Sequence, residues 1–204
     1  MREKCVNSSK SDGQTGGFVI YYHHDGMSER KHGGLFMNIL TVSDSHGRVE
    51  MLREAIRLTD PDAVLFAGDG LRDLDGLSLS CPLYAVRGNC DWDVMGGRYA
   101  EEELVTLAGV RILLTHGHRQ GVKHGLGAAV AYAERCRADV LVFGHTHEAI
   151  EIHAGPDVPP GAHTLRASRP LLLCNPGSVG FYPHTFGTLT VQAGQVLFGI
   201  GRIG

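Results

Sequence analysis

Asn38-Ile39-Leu40-Thr41-Val42-Ser43-Asp44-Ser45-His46 joins a short β-branched and aliphatic run to side chains that ligate cations or carry protons. The run has the length and composition of a buried strand. The same juncture recurs along the chain. Ala63-Val64-Leu65-Phe66-Ala67 leads to Gly68-Asp69, and Leu83-Tyr84-Ala85-Val86 leads to Arg87-Gly88-Asn89-Cys90-Asp91. Ile112-Leu113-Leu114 leads to Thr115-His116-Gly117-His118, and Val140-Leu141-Val142-Phe143 leads to Gly144-His145-Thr146-His147. In an α/β sheet the loops at the carboxyl ends of strands share one edge and line its crevice. These clusters should therefore converge.

Between and beyond these junctures the pattern is that of a layered α/β domain. Arg48 to Leu58 follows helical spacing, with Val49, Leu52, Ala55 and Ile56 on one face. Leu104 to Leu114 reads as a hairpin turning at Ala108-Gly109, and Gly125 to Arg137 as a helix of small residues. Ala149 to Ile152, Leu171 to Cys174, and a hairpin of Gly187 to Val191 with Gln195 to Ile200 supply the remaining strands. Gly155 to Pro170, rich in proline, should be a loop. Residues 1–36 are rich in Ser, Gly, Lys and Asp, with Phe18-Val19-Ile20-Tyr21-Tyr22 as their one strand-like run. They read as a disordered or loosely attached leader, dispensable to a domain over residues 37–204. His23-His24 in that leader has no third ligand nearby and reads as a solvated pair.

A chain of 204 residues that is 43% hydrophobic has enough apolar material for one core. A formal charge of −3, with Lys and Arg scattered, offers no basic stripe for a nucleic-acid backbone. No nucleic acid is expected as partner. No apolar run approaches the roughly 20 residues of a membrane helix, and the start lacks an apolar signal core. A cytoplasmic protein is expected. The five cysteines are widely spaced, which suits reduced thiols rather than a disulfide framework.

Twelve histidines, several clustered with Asp, Asn and Gly, point to metal or acid–base chemistry. The convergent set is Asp44, His46, Asp69, Asn89, His116, His145 and His147. Mixed imidazole and oxygen donors suit Mn, Fe, Co or Zn better than an all-oxygen or all-thiolate cage. This donor set is too large for one tetrahedral ion and is enough for two ions sharing a carboxylate, a device that clamps a phosphoryl centre. Any one cluster reads as an ordinary strand-end turn; five in one chain do not. His118 reads as a substrate-facing neighbour of the ligands, and Asn175-Pro176-Gly177-Ser178 as a turn bordering the site.

In order, these motifs run Asp-x-His, Gly-Asp, Gly-Asn-Cys-Asp, Thr-His-Gly-His, Gly-His-Thr-His and Asn-Pro-Gly-Ser-Val. The chain from Met37 onward resembles the calcineurin-like metallophosphoesterase superfamily, and within it the small bacterial and archaeal phosphodiesterases of the YfcE type. The resemblance implies an α/β fold of four layers, a two-sheet β-sandwich flanked by helices. It implies Asp44, His46, Asp69 and His147 around one divalent ion and Asp69, Asn89, His116 and His145 around a second, with Asp69 as the bridge. Manganese is the first choice of metal, with Ni, Co, Fe, Zn or Mg as alternatives. The activity implied is that of a phosphodiesterase or phosphatase acting on a small phosphorylated substrate through a metal-bridging hydroxide. Many members carry His after the Asn, where it stabilises or protonates the reacting phosphate. Cys90 stands there instead, leaving Asp91 or His118 to supply a proton. The loop from Gly70 to Cys81 is short, which predicts an open cleft without a cap domain. A scaffold of the same fold and a nuclease are the alternatives. A homodimer or homotetramer is compatible with the sequence.

Overall fold

The computed structural model describes residues 36–92, 98–158, 165–192 and 194–204. The expected leader lies outside these residues except for Phe36, which already belongs to the first strand.

The strands are β1 (Phe36–Val42), β2 (Ala63–Phe66), β3 (Leu83–Ala85), β4 (Glu102–Leu107), β5 (Val110–Thr115), β6 (Val140–Val142), β7 (Ala149–Ala154), β8 (Leu171–Pro176), β9 (Thr185–Gln192) and β10 (Gln195–Arg202). The helices are α1 (Val49–Thr59) and α2 (Gly127–Arg135). One five-stranded sheet has the order β10-β9-β1-β2-β3, the other β4-β5-β6-β8-β7. In the first, β1, β2 and β3 are parallel and β9 and β10 join antiparallel. In the second, β5, β6 and β8 are parallel, with β4 and β7 as antiparallel edges.

Residue alternation sets the layers. Ile39, Leu65 and Val86 from one sheet meet Ile112, Leu114, Val140, Val142 and Cys174 from the other in a shared buried core. The opposite faces carry Leu40, Val42, Val64 and Phe66 under Leu52 and Ala55 of α1, and Leu113, Leu141, Phe143 and Leu173 under Ala129, Val130 and Ala133 of α2. The order of layers is helix, sheet, sheet, helix. Parallel strands covered on both faces must be apolar throughout, which is why their sequence runs are continuous rather than alternating. Leu52 is 1% exposed, and truncating such a side chain to Ala costs about 2–5 kcal/mol. α1 ends where Asp60 turns left-handed (φ 40°) and donates its N–H to Ile56 O at 2.9 Å.

Leu71–Gly76 forms a 3-10 turn where a plain loop was expected. β4 begins at Glu102, before the first apolar residue, because ladder pairing with Thr115 continues through an edge strand whose alternate side chains face water. Among the described residues no helix is long and apolar enough to cross a membrane. The consequence for function is positional: β1, β2 and β3 end on one rim of their sheet, β5 and β6 on one rim of the other, and the two rims adjoin.

Candidate metal centre

All seven expected ligands gather on the joined rims. His147 Nε2 lies 3.1 Å from Asp44 Oδ1, and His46 Nε2 lies 3.7 Å from the same oxygen. Asp69 Oδ2 is 3.3 Å from His116 Nε2 and 4.0 Å from His46 Nε2. Asn89 Oδ1 is 3.1 Å from His116 Nε2. Donor atoms of Asp44, His46 and His147 lie within 4.8 Å of one another, as do those of Asp69, His116 and His145, and those of His46, Asp69 and Cys90.

Backbone strain aims these groups. Of the nine described non-glycine residues with positive φ, five are Asp44, His46, Asp69, His145 and His147. Such conformations cost of order 1–3 kcal/mol each and persist where the surroundings over-determine them. Here those surroundings are hydrogen bonds. Ser43 Oγ and the His145 N–H donate to Asp44 Oδ2 at 2.6 and 3.1 Å, and the Cys90 N–H donates to Asp69 Oδ1 at 2.7 Å. Asp73 accepts from Ser45 Oγ and the Gly47 N–H, at 2.6 and 2.9 Å, and so closes the loop that carries His46. Space matters as well, since a Cβ on Gly88 would stand 2.0 Å from Asp69 Oδ1.

The polar atoms left over have the chemistry of a cation site. Asp44 Oδ1 and His46 Nε2 are buried with no hydrogen-bond partner. His116 Nδ1 lies 2.7 Å from Ala67 O, an acceptor only, so this nitrogen carries the proton. In the neutral form that a metal ligand must take, His116 would turn the lone pair of Nε2 toward two further acceptors, Asn89 Oδ1 and Asp69 Oδ2. Divalent cations among these donors would satisfy all of them, so the residues present fit metal ions.

The charges tell the same story. Burial opposes ionisation of Asp44, yet His147, His46, His116 and Ser43 hold its carboxyl far below the usual range. Burial likewise opposes ionisation of Asp69, and its bonds from His116 and Cys90 still bring it down to about 2. His46 is raised, chiefly by Asp44. His116 is raised by Asp69 and Asp44 in spite of burial. Burial, with His116 and Lys123, lowers His145 to about 4.

The residues expected to handle protons separate. Asp91 is 3% exposed and its carboxylate accepts four backbone N–H groups, those of Asp69 (2.8 Å), Gly70 (2.9 Å), Leu71 (2.9 Å) and Gly88 (2.9 Å). It ties the Gly-Asp loop to the Gly-Asn loop, and the bonds given for its carboxylate all go to backbone, a positioning arrangement where a proton donor had been expected. Burial, followed by Asp69, pushes the Cys90 thiol up to about 11, which makes it a poor nucleophile. His118 stands beside His116 and His145, with ring centroids 5.4 and 6.2 Å away. Its Nδ1 is buried without a partner.

Two further residues border the centre: Asn175, in the turn that the sequence placed beside the site, and Phe181, which the sequence did not single out. Asn175, fully buried, donates to Gly144 O at 2.9 Å and to Thr146 Oγ1 at 3.0 Å, bracing the loop of His145 and His147. Phe181 stacks on His147, with centroids 5.2 Å apart. Their only local signal is the Asn-Pro-Gly-Ser turn, which does not reveal its partners.

The family model of the calcineurin-like phosphoesterase superfamily domain matches residues 37–194, the stretch that carries every one of these side chains. The probable metallophosphoesterase YsnB of Bacillus subtilis is 35% identical over 144 residues, which span 70% of this chain and 75% of that protein. A probable metallophosphoesterase of Mycoplasma pneumoniae is 32% identical over 112 residues, spanning 53% and 67%. Among solved structures, a predicted phosphoesterase of Streptococcus pneumoniae superposes with a TM-score of 0.62 at 19% identity, covering 82% of this chain and 90% of that one. An archaeal phosphodiesterase gives 0.57 at 22% identity (80% and 99% covered), and vacuolar protein sorting 29 of Cryptosporidium parvum gives 0.58 at 17% (83% and 98%). The structural likenesses establish a shared fold; with the matched family model and the YsnB relative, they mean that this chain belongs to the calcineurin-like phosphoesterase superfamily.

Proposed function

We propose that the protein is a metal-dependent phosphodiesterase that hydrolyses a small phosphate ester at a centre of two divalent ions, manganese foremost. The observation that carries this reading is the position of Asp69, whose Oδ2 lies 3.3 Å from His116 Nε2 and 4.0 Å from His46 Nε2, between two donor groups. Asp44, His46 and His147 would hold one ion, Asn89, His116 and His145 the other, with Asp69 shared. When bound, such ions would supply Lewis acidity toward phosphate oxygens and would acidify water.

The chain's own residues orient and move protons around that chemistry. Ala67 O holds His116 in one tautomer, so its Nε2 is turned to the centre. Asp91 holds the loops of Asp69 and Asn89 in register through four amides. His118, half-buried beside His116 and His145, is the group we assign to hydrogen-bond the leaving oxygen. No covalent intermediate on Cys90 is needed, and Cys90→Ser should keep activity.

The test is turnover of chromogenic phosphomonoesters and phosphodiesters by metal-stripped protein supplied with Mn, Ni, Co, Mg or Zn. The expected result is metal-dependent release favouring the diesters. Tight metal uptake with no turnover of any ester would instead favour a scaffold of the same fold.

A further inference from the structure

Phe181 packs against the ligand cluster while half of its surface stays exposed. Its ring stacks on the His147 imidazole with 21° between planes, and its centroid lies 5.2 Å from those of both His147 and His46. It is nevertheless 50% exposed, and the adjacent Tyr182 is 89% exposed. A ring whose work ended at supporting His147 would gain by burying its second side. Instead the turn is bolted to the ligand loop with the aromatic surface left open. Val179 N–H donates to Ser43 O and Gly180 N–H to Asp44 O, both at 3.1 Å, and Ser178 Oγ donates to Asp44 O at 2.8 Å. Phe181 N–H donates to Ser178 Oγ at 3.0 Å, and His184 N–H returns to Phe181 O at 2.7 Å. A Cβ on Gly180 would stand 2.3 Å from Ser45 O, a measure of how closely the turn is pressed down. An aromatic surface held this firmly is ordered before any ligand arrives, which removes part of the entropy cost of binding.

We propose that Phe181, flanked by Tyr182, is the seat for a planar ring in the substrate, so that the phosphate ester taken here carries a nucleobase or an aryl group. This rests on the phosphoesterase reading, since the ring is placed by reference to a phosphate at the metal ligands. Stacking on an aromatic side chain tolerates any π-face, which fits recognition of a ring by shape rather than by hydrogen bonds.

The experiment is calorimetric titration of the full chain loaded with Mn, using two matched pairs of probes. Phenylphosphonate against methylphosphonate reports an aryl ring; adenosine 5′-monophosphate against ribose 5-phosphate reports a nucleobase. The ring-bearing member of at least one pair should bind about tenfold tighter, equivalent to about 1.4 kcal/mol. Phe181→Leu should shrink that ratio below about threefold, with methylphosphonate affinity and metal content unchanged. Phe181→Trp should preserve the ratio, and Tyr182→Ala should reduce it less than Phe181→Leu does. Equal binding within both pairs by the native protein overturns the proposal. So does a Phe181→Leu protein that loses metal or weakens both members of a pair alike, because Phe181 would then only support His147. If Mn is bound and neither methylphosphonate nor inorganic phosphate binds, the phosphoesterase reading itself has failed.

Discussion

In the β4–β5 turn, Ala108 and Gly109 take positive φ (46° and 82°), and a Cβ added to Gly109 would meet nothing within 4 Å. At the metal rim, Asp44, His46, Asp69, His145 and His147 also take positive φ, but they are crowded. A Cβ on Gly144 would stand 1.9 Å from Ser43 Oγ, and one on Gly88 would stand 2.0 Å from Asp69 Oδ1. The two regions use the same unusual backbone for different ends. A two-residue hairpin needs left-handed residues to reverse the chain with the right twist, and asks nothing of its surroundings. The rim needs them to aim donors inward, and Asp44, His46, Asp69 and His145 are each locked by a hydrogen bond to another loop. Strain in the turn is local; strain at the rim is shared.

That contrast is broken or sharpened first by Asp69→Asn. The substitution keeps shape and removes the charge that two donor groups have in common. We expect at least one ion lost per chain and turnover down by more than about 100-fold, beyond the roughly 10–100-fold that losing a hydrogen-bond partner of a ligand costs. His46→Ala should lose less and recover in part with excess metal. Elemental analysis beside turnover at saturating Mn decides it. Two ions per chain and equal turnover in both variants would remove Asp69 from its shared role.

A smaller effect separates the two regions directly. Gly88→Ala pushes a methyl into Asp69 and its loop, and overpacking of this kind costs about 1–3 kcal/mol. Metal content should fall with it. Gly109→Ala places a methyl in open space and meets only the backbone penalty of about 1–2 kcal/mol, with metal content intact. Urea denaturation and metal analysis of both proteins check this. A Gly109→Ala protein that loses metal would show the far turn to be coupled to the rim.

The mildest effect is on pH dependence. In the metal-free protein His46 and His116 have pKa values raised above 6.5. Their contribution to stability is therefore fully present below about 6.5 and is lost as pH rises through the raised values. His145, lowered to about 4, contributes above 6.5 and loses that contribution as pH falls toward 4. Asp44 and Asp69, both lowered, matter only in more acid solution, below about 4. From pH 6.5 upward the stripped protein should thus lose a little stability. The metal-loaded protein should gain, because metal and proton compete for the same histidines. Thermal midpoints of both forms between about pH 5.5 and 8.5 should diverge as pH rises. Parallel curves would mean that these histidines do not give up protons to the metal.

Much of this was legible in the chain itself, because the signals are local. A strand buried on both faces must be written as a continuous apolar run, and a ligand at its carboxyl end must follow within a few residues. The junctures at Asp44, Asp69, Asn89, His116 and His145 could therefore be read one at a time. Only the tertiary structure decided what each juncture meets. It divided the strands between two sheets, so that donors from β1, β2 and β3 face those from β5 and β6 across the sandwich. It turned Asp91 away from the cleft and onto four amides, and brought Phe181 onto His147, 34 residues earlier in the chain. Residue type and period record whether a side chain is buried or ligating; they carry no record of its partner when strand pairing and packing, not chain proximity, create the contact.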